Sequence, residues 1–223
     1  MNILISQGHQ PPPNPGGVTV IIDVIRAFTT CYHAFRGGAT AIHPVATAEE
    51  AFALRQQSPE MLIAGEINAL PVDGFDFGNS PGEVSRADVR GRELIIRTTN
   101  GVAALLAARA SARVLVAGLV NADATARAIL EMAPTQVLLV ASHPSGDDDM
   151  ACAEYLHGLL GGPALSIDET IQRIRHCHAA QKFYDGRSPH WRPEDIELAA
   201  RVEPDGMVME VEFGVLPTIR VGA

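Results

Sequence analysis

The stretch VTVIIDVIRAFTT, residues 18–30, decides how the chain is read. Val18, Val20, Ile21 and Ile22 form a short β-branched run with the length of a buried strand. Phe28, Cys31, Tyr32 and Phe35 then recur at i, i+3, i+4 and i+7, the stripe of an amphipathic helix. Asp23 and Arg26 sit between the two periods. Open α/β sheets bind ligands beyond the carboxyl ends of their strands. A helix start there offers free N–H groups and a positive dipole end to an anion. Asp23 and Arg26 are equally placed to form a salt bridge or a helix cap, and this stretch alone leaves both readings open.

Working outward, strand and helix patterns alternate along most of the chain, which predicts a three-layer α/β/α sandwich. After the Pro-rich loop 11–17, strands are predicted at 18–22, 40–45, 61–64, 93–97, 113–117 and 136–141. Gly37-Gly38 ends the first helix. Thr47 caps a helix over 48–57, with Glu49 and Glu50 in its first turn. Residues 67–92 read as irregular. Further helices are expected over 102–110, over 122–132 with Asn121 as cap, over 150–160 after a polar loop holding Asp147–Asp149, over 168–183, and from Arg192-Pro193 onward. Met207–Phe213 alternates apolar and acidic residues, the pattern of a half-exposed edge strand. Segments 18–57 and 92–132 match in the order of strand, helix, strand and cap at an offset of 74 residues, so the single domain 1–223 could hold two similar βαβ halves.

Composition limits the function classes. A formal net charge of −9 and a pI near 5.3 argue against nucleic acid or an anionic membrane as partner. The amino end lacks the basic start and apolar run of a signal peptide. No stretch approaches a membrane span. Cys31, Cys152 and Cys177 follow no CxxC spacing, and a reducing cytoplasm is the expected home. Lys182 is the one lysine; the other basic residues, histidines aside, are Arg. His176-Cys177-His178 resembles a metal cluster, but adjacent helical residues point apart, so it reads as packing. Whether the chain forms a homo-oligomer is left open.

Polar groups gather at predicted strand ends: Asp23 and Arg26, Glu66, Thr98–Asn100 and Asp147–Asp149, with Asp76, Asn79 and Ser80 from GFDFGNSP. Separated carboxylates on rigid strand ends suit a hard cation such as Mg²⁺, which keeps waters and a substrate phosphate. Thr98-Thr99-Asn100-Gly101 before a helix suits an oxyanion. There is no GxxxxGK[ST] P-loop, no GxGxxG fingerprint and no GxSxG elbow. Haloacid-dehalogenase-type phosphatases also open with a strand and an Asp, but their DxD needs an acid where Ile25 stands.

The chain resembles the 2-phosphosulfolactate phosphatase family, Mg²⁺-dependent phosphatases of coenzyme M biosynthesis. The resemblance rests on IDVIRAFTT (22–30), HPVATAEEA (43–51), GE (65–66), GFDFGNSP (74–81), TTNG (98–101), Asn121 and DDMACA (148–153), with RPEDIELAARVE (192–203) a weaker match. It implies a small phosphate ester as substrate and Mg²⁺ as cofactor. It makes Asp23, Glu66, Asp76 and Asp149 metal or catalytic candidates and Arg26, Asn79, Thr99 and Asn100 substrate contacts, without fixing individual roles; the site read from this has Asp23, Arg26 and Glu66 as catalytic residues and Gly101 as a further substrate contact. Asp23, Glu66, Asp76 and Asn100 should then surround one cleft, within about 10 Å of a common point. Two positions depart from the family pattern. Ile67 stands where a basic residue usually follows GE, and Val102-Ala103 where Thr-Arg usually follows TTNG. These departures keep a second reading in play, a non-catalytic anion-binding or regulatory homologue.

Overall fold

A computed structural model describes every residue except Ala164 and Ala223. In chain order the strands are β1 (Asn2–Gln7), β2 (Val18–Ile22), β3 (Ala41–Pro44), β4 (Leu62–Gly65), β5 (Glu93–Arg97), β6 (Arg113–Ala117), β7 (Gln136–Ala141), β8 (Met209–Phe213) and β9 (Pro217–Val221). The helices are α1 (Ala27–Arg36), α2 (Ala48–Gln57), α3 (Pro81–Val84), α4 (Gly101–Ala107), α5 (Ala122–Met132), α6 (Asp147–Leu159), α7 (Ile167–His176), α8 (His178–Tyr184) and α9 (Pro193–Ala199).

The strands form one sheet in the order β1-β7-β2-β6-β8-β9-β3-β5-β4. Every residue of β2 is buried, and its side chains alternate between two cores. Ile21 packs with Phe28, Tyr32 and Leu105 on one face, while Val20 and Ile22 pack with Ile129, Leu139 and Leu156 on the other. This is the α/β/α sandwich expected from the sequence. β1, β7, β2 and β6 are mutually parallel, as are β3, β5 and β4. The antiparallel hairpin β8–β9 lies between these groups and meets β3 at a single residue pair, Ile42 opposite Ile219. The proposed βαβ halves are therefore interleaved, since β2 pairs with β6 and β3 with β5.

Several elements differ from the sequence reading. Residues 2–7 form an edge strand beside β7, and 217–221 form a further strand. β8 is not at an edge but inside the sheet, where Glu210 reaches Arg113 on β6 across the strand pair. The expected helix 168–183 breaks at Cys177, whose extended ψ of 160° separates α7 from α8. Thr47 caps α2 as expected, accepting from the Glu50 N–H. Asn121 does not cap α5. Its side chain instead accepts from the Gly118 N–H and donates to the Val116 and Met207 carbonyls, tying β6 to the carboxyl-terminal segment. Asp147–Asp149 are not in a loop but form the first turn of α6, where acids suit the helix dipole. Among the described residues no helix is long and apolar enough to cross a membrane.

Candidate functional site

The loops that follow β2, β4, β5 and β7 converge on a cavity of about 490 Å³. Asp23 leaves β2 at its carboxyl end and holds the starts of two helices. Its Oδ1 accepts the Ala27 N–H of α1 at 2.9 Å, and its Oδ2 accepts the Gly101 N–H of α4 at 2.9 Å. The cap reading of Asp23 is thus correct as geometry, while its side chain still lines the cavity. Gly101 is required for this approach, because a Cβ there would lie 2.6 Å from Asp23 Oδ2. Its N–H faces Asp23, and Gly101 itself does not line the cavity.

Glu66 follows β4, where Gly65 adopts φ +144° against the Arg97 carbonyl. The Glu66 carboxylate accepts the Thr99 N–H at 2.6 Å, the Thr99 hydroxyl at 3.0 Å and the Ala69 N–H. Thr99 and Asn100 line the cavity, and Asn100 Oδ1 lies 2.6 Å from His9 Nε2 on the loop after β1. Asn79 also lines it, with a buried Oδ1 that has no hydrogen-bond partner among the described residues.

Arg26 does not pair with Asp23. Its Nη1 lies 2.8 Å from Oδ2 of Asp195 on α9, and both side chains are buried, at 5% and 0% exposure. Its guanidinium carbon sits 4.8 Å from the centre of the Phe183 ring. Asp195 Oδ1 in turn accepts from the Ser80 hydroxyl at 2.7 Å and the Gly82 N–H at 3.1 Å. One carboxylate near the carboxyl end thereby fixes both Arg26 and the GFDFGNSP segment.

Two of the expected metal ligands point elsewhere. Asp76 lies in a smaller neighbouring cavity, paired with Arg55 and accepting the Ile63 N–H at 2.8 Å. Its role there is to hold the edge of β4, not the common cleft. Asp149 accepts the Val24 N–H at 2.8 Å, the His143 N–H at 3.0 Å and the Ser142 hydroxyl at 3.1 Å. It sits behind the cavity and joins the β2 and β7 loops. Asp148, one residue earlier and turned by the helical 100°, lines the cavity instead.

The acids in this pocket are crowded. Burial pushes the Asp23 carboxyl up to about 6, with the Glu66 charge adding to the rise against the Ala27 and Gly101 N–H groups. Burial, and then the Asp23 charge, pushes Asp148 up to about 7. Burial and the neighbouring acids likewise raise Asp149. His143 and His178 also line the cavity, as does Lys182, whose ammonium is pulled down by burial and by Arg26. Sequence reasoning missed Asp195, His9 and His143, grouped Asp148 with its neighbours without singling it out, and read His178 as packing. DDMACA marked the right helix turn for Asp148, and RPEDIELAARVE contains Asp195, but neither fixed which side chain faces inward.

The family model for 2-phosphosulpholactate phosphatase matches residues 4–202. A probable 2-phosphosulfolactate phosphatase of Bacillus subtilis (strain 168) is 41% identical over 223 residues, covering 98% of both chains. Another, from Clostridium perfringens (strain SM101 / Type A), is 38% identical over 225 residues, covering 93% of this chain and 91% of that one. Matches of this extent run through the β2, β5 and β7 loops and α9, and the chain belongs to the 2-phosphosulfolactate phosphatase family.

Proposed function

We propose that the protein is a Mg²⁺-dependent phosphatase that converts 2-phosphosulfolactate, or a related 2-phospho acid, to the hydroxy acid and inorganic phosphate. The meeting of Asp23, Glu66, Asp148 and Arg26 in one cavity carries this reading. Family membership supports the hydrolase class.

The residues present fit a magnesium ion. A carboxylate offers about four lone-pair sites. Glu66 uses three of them, and Asp23 uses two on N–H groups with Ser142 a longer third at 3.4 Å. Each keeps an oxygen site for a cation, and a cation would offset the burial and the lesser Glu66 charge that raise Asp23. Among the described residues no group of three or more His, Cys, Asp or Glu is placed to hold a metal ion by itself. Mg²⁺ needs none, since one or two carboxylates plus substrate phosphate and water suffice. Asp23 and Glu66 would hold it, and the ion supplies Lewis-acid stabilisation of charge on the phosphoryl oxygens.

The side chains do the rest. Asp195 holds Arg26 by one nitrogen, leaving its other N–H groups to meet the phosphoryl oxygens in a fixed orientation. Asn79 Oδ1 accepts from a proton-bearing oxygen of substrate or water. Water adds to phosphorus as the ester P–O bond breaks. Asp148, titrating close to neutrality, takes the water proton at a carboxylate oxygen and returns one to the leaving alkoxide. The buried thiols of Cys31, Cys152 and Cys177 fit a reducing compartment such as the cytoplasm.

Phosphate release from 2-phosphosulfolactate and from phenyl phosphate tests the reading. EDTA should abolish release, Mg²⁺ should restore it, and Zn²⁺ should serve poorly because the donors are all oxygen. Full activity in chelator overturns the metal assignment. No release from either ester with Mg²⁺ overturns the phosphatase and favours an anion-binding homologue.

A further inference from the structure

The cavity has a second positive centre that the reaction above does not use. Lys182 lies on α8 and lines the cavity, on the same Phe183 ring that Arg26 meets. It is half-buried, with its ammonium 5.3 Å from the Trp191 ring centre and 5.7 Å from that of Phe183. Among the described residues it has no ion pair. Arg26 differs, because Asp195 already balances its charge. Asp147, also on the wall, is paired with Arg173. His178 stands one turn before Lys182 and lines the same cavity, so the two share a face of α8.

A cation held on aromatic faces inside an acidic protein, without a carboxylate of its own, has its counter-charge still to come. The chain carries a net charge of −9, so an anionic substrate meets a repulsive field unless local cations offset it. Resting on the phosphatase reading, we propose that Lys182, with His178, is the specificity determinant that holds a second acid group on the substrate, a carboxylate or sulfonate beside the phosphate ester. Strand-end loops then bind the phosphate and α8 binds the acid. Burial and Arg26 depress the Lys182 ammonium more than the nearby charges of Glu66 and Asp148 raise it, and an anion bound against it would reverse that net depression.

Lys182→Met keeps the stem over Trp191 and removes the charge. Turnover of 2-phospholactate, which bears a neighbouring carboxylate, is compared with that of phenyl phosphate, which bears none. The variant should lose about tenfold or more in its kcat/KM preference for 2-phospholactate, chiefly through KM, the scale of one lost charged hydrogen bond. Lys182→Arg should recover most of that preference. An unchanged preference, whether both substrates suffer equally or neither does, overturns the proposal. Calorimetric titration with sulfolactate, which has no phosphate, separates this from the phosphatase reading. If the wild type hydrolyses neither ester, that reading fails, and weaker sulfolactate binding by Lys182→Met still supports the subsite. Equal binding, or none to the wild type, overturns it.

Discussion

Asp195→Asn is a near-isosteric change whose consequences follow from the geometry around one buried carboxylate. Asp195 receives Arg26 on Oδ2 and both Ser80 and Gly82 on Oδ1. An asparagine has one acceptor oxygen, and its amide must face donors on the other side. If the oxygen turns to Arg26, the Gly82 N–H loses its acceptor. If it turns to Gly82, a guanidinium at 5% exposure is left opposite an NH₂ group. Removing one partner of a buried ion pair costs about 3–5 kcal/mol. At about 2–4 °C per kcal/mol for a chain of this size, the midpoint should fall by about 6–20 °C. Thermal unfolding followed by circular dichroism measures this directly. Adding Arg26→Met removes the stranded charge while the asparagine oxygen still serves Ser80 and Gly82, so the double variant should regain much of the loss. Turnover should not return with it. A fall below about 3 °C in Asp195→Asn, or a double variant no more stable than the single, would refute the argued role of this carboxylate.

Arg26→Met alone should lower kcat by about 10²-fold or more if the guanidinium meets the phosphoryl group; near-wild-type turnover in a folded variant would sink that contact. The metal-free protein should lose stability as pH rises from about 5 to 8. Asp23 and Asp148 have folded values of about 6 and 7, above the unfolded 3.8, so the folded state holds extra protons in that window. At about 1.4 kcal/mol for each pH unit over which a group holds its extra proton, the two together make a decline on the order of 10 °C, and Mg²⁺ at pH 8 should reverse it. A midpoint that climbs with pH in EDTA contradicts this. Gly101→Ala should cut turnover as well as stability, since its Cβ would press on Asp23 Oδ2 at 2.6 Å; unaltered kinetics would show that Asp23 can shift without consequence.

Local patterns in the sequence revealed most of the frame. β2, β5 and β7 appear where apolar runs end in polar residues, and β6 as an apolar run followed by a glycine, because burial on both faces imposes a nearly continuous apolar signature. Asp23, Arg26, Glu66, Asn79, Thr99 and Asn100 were legible for the same reason, being the first polar residues beyond those runs or within a dense turn. Helical phase was not legible. Asp148 and Asp149 are chemically identical, and only a helix starting at Asp147 decides which faces the cavity and which braces Val24 and His143. Long-range pairing was equally hidden, since the Arg26–Asp195 contact spans 169 residues and leaves no local trace. β1 was concealed by its half-exposed alternation and the Pro-rich loop behind it.

The β8–β9 hairpin has a consequence for synthesis. It lies in the middle of the sheet yet comes from residues 209–221, downstream of every strand it separates. While a ribosome is still adding it, β6 and β3 present unpaired edges that invite pairing with other chains. The nascent polypeptide can assemble its parallel halves but cannot join them until residues 209–221 have been made. Such late, non-local closure slows folding and lengthens the interval in which a holding chaperone matters. Placing the hairpin ahead of β6 in the order of synthesis would shorten that interval.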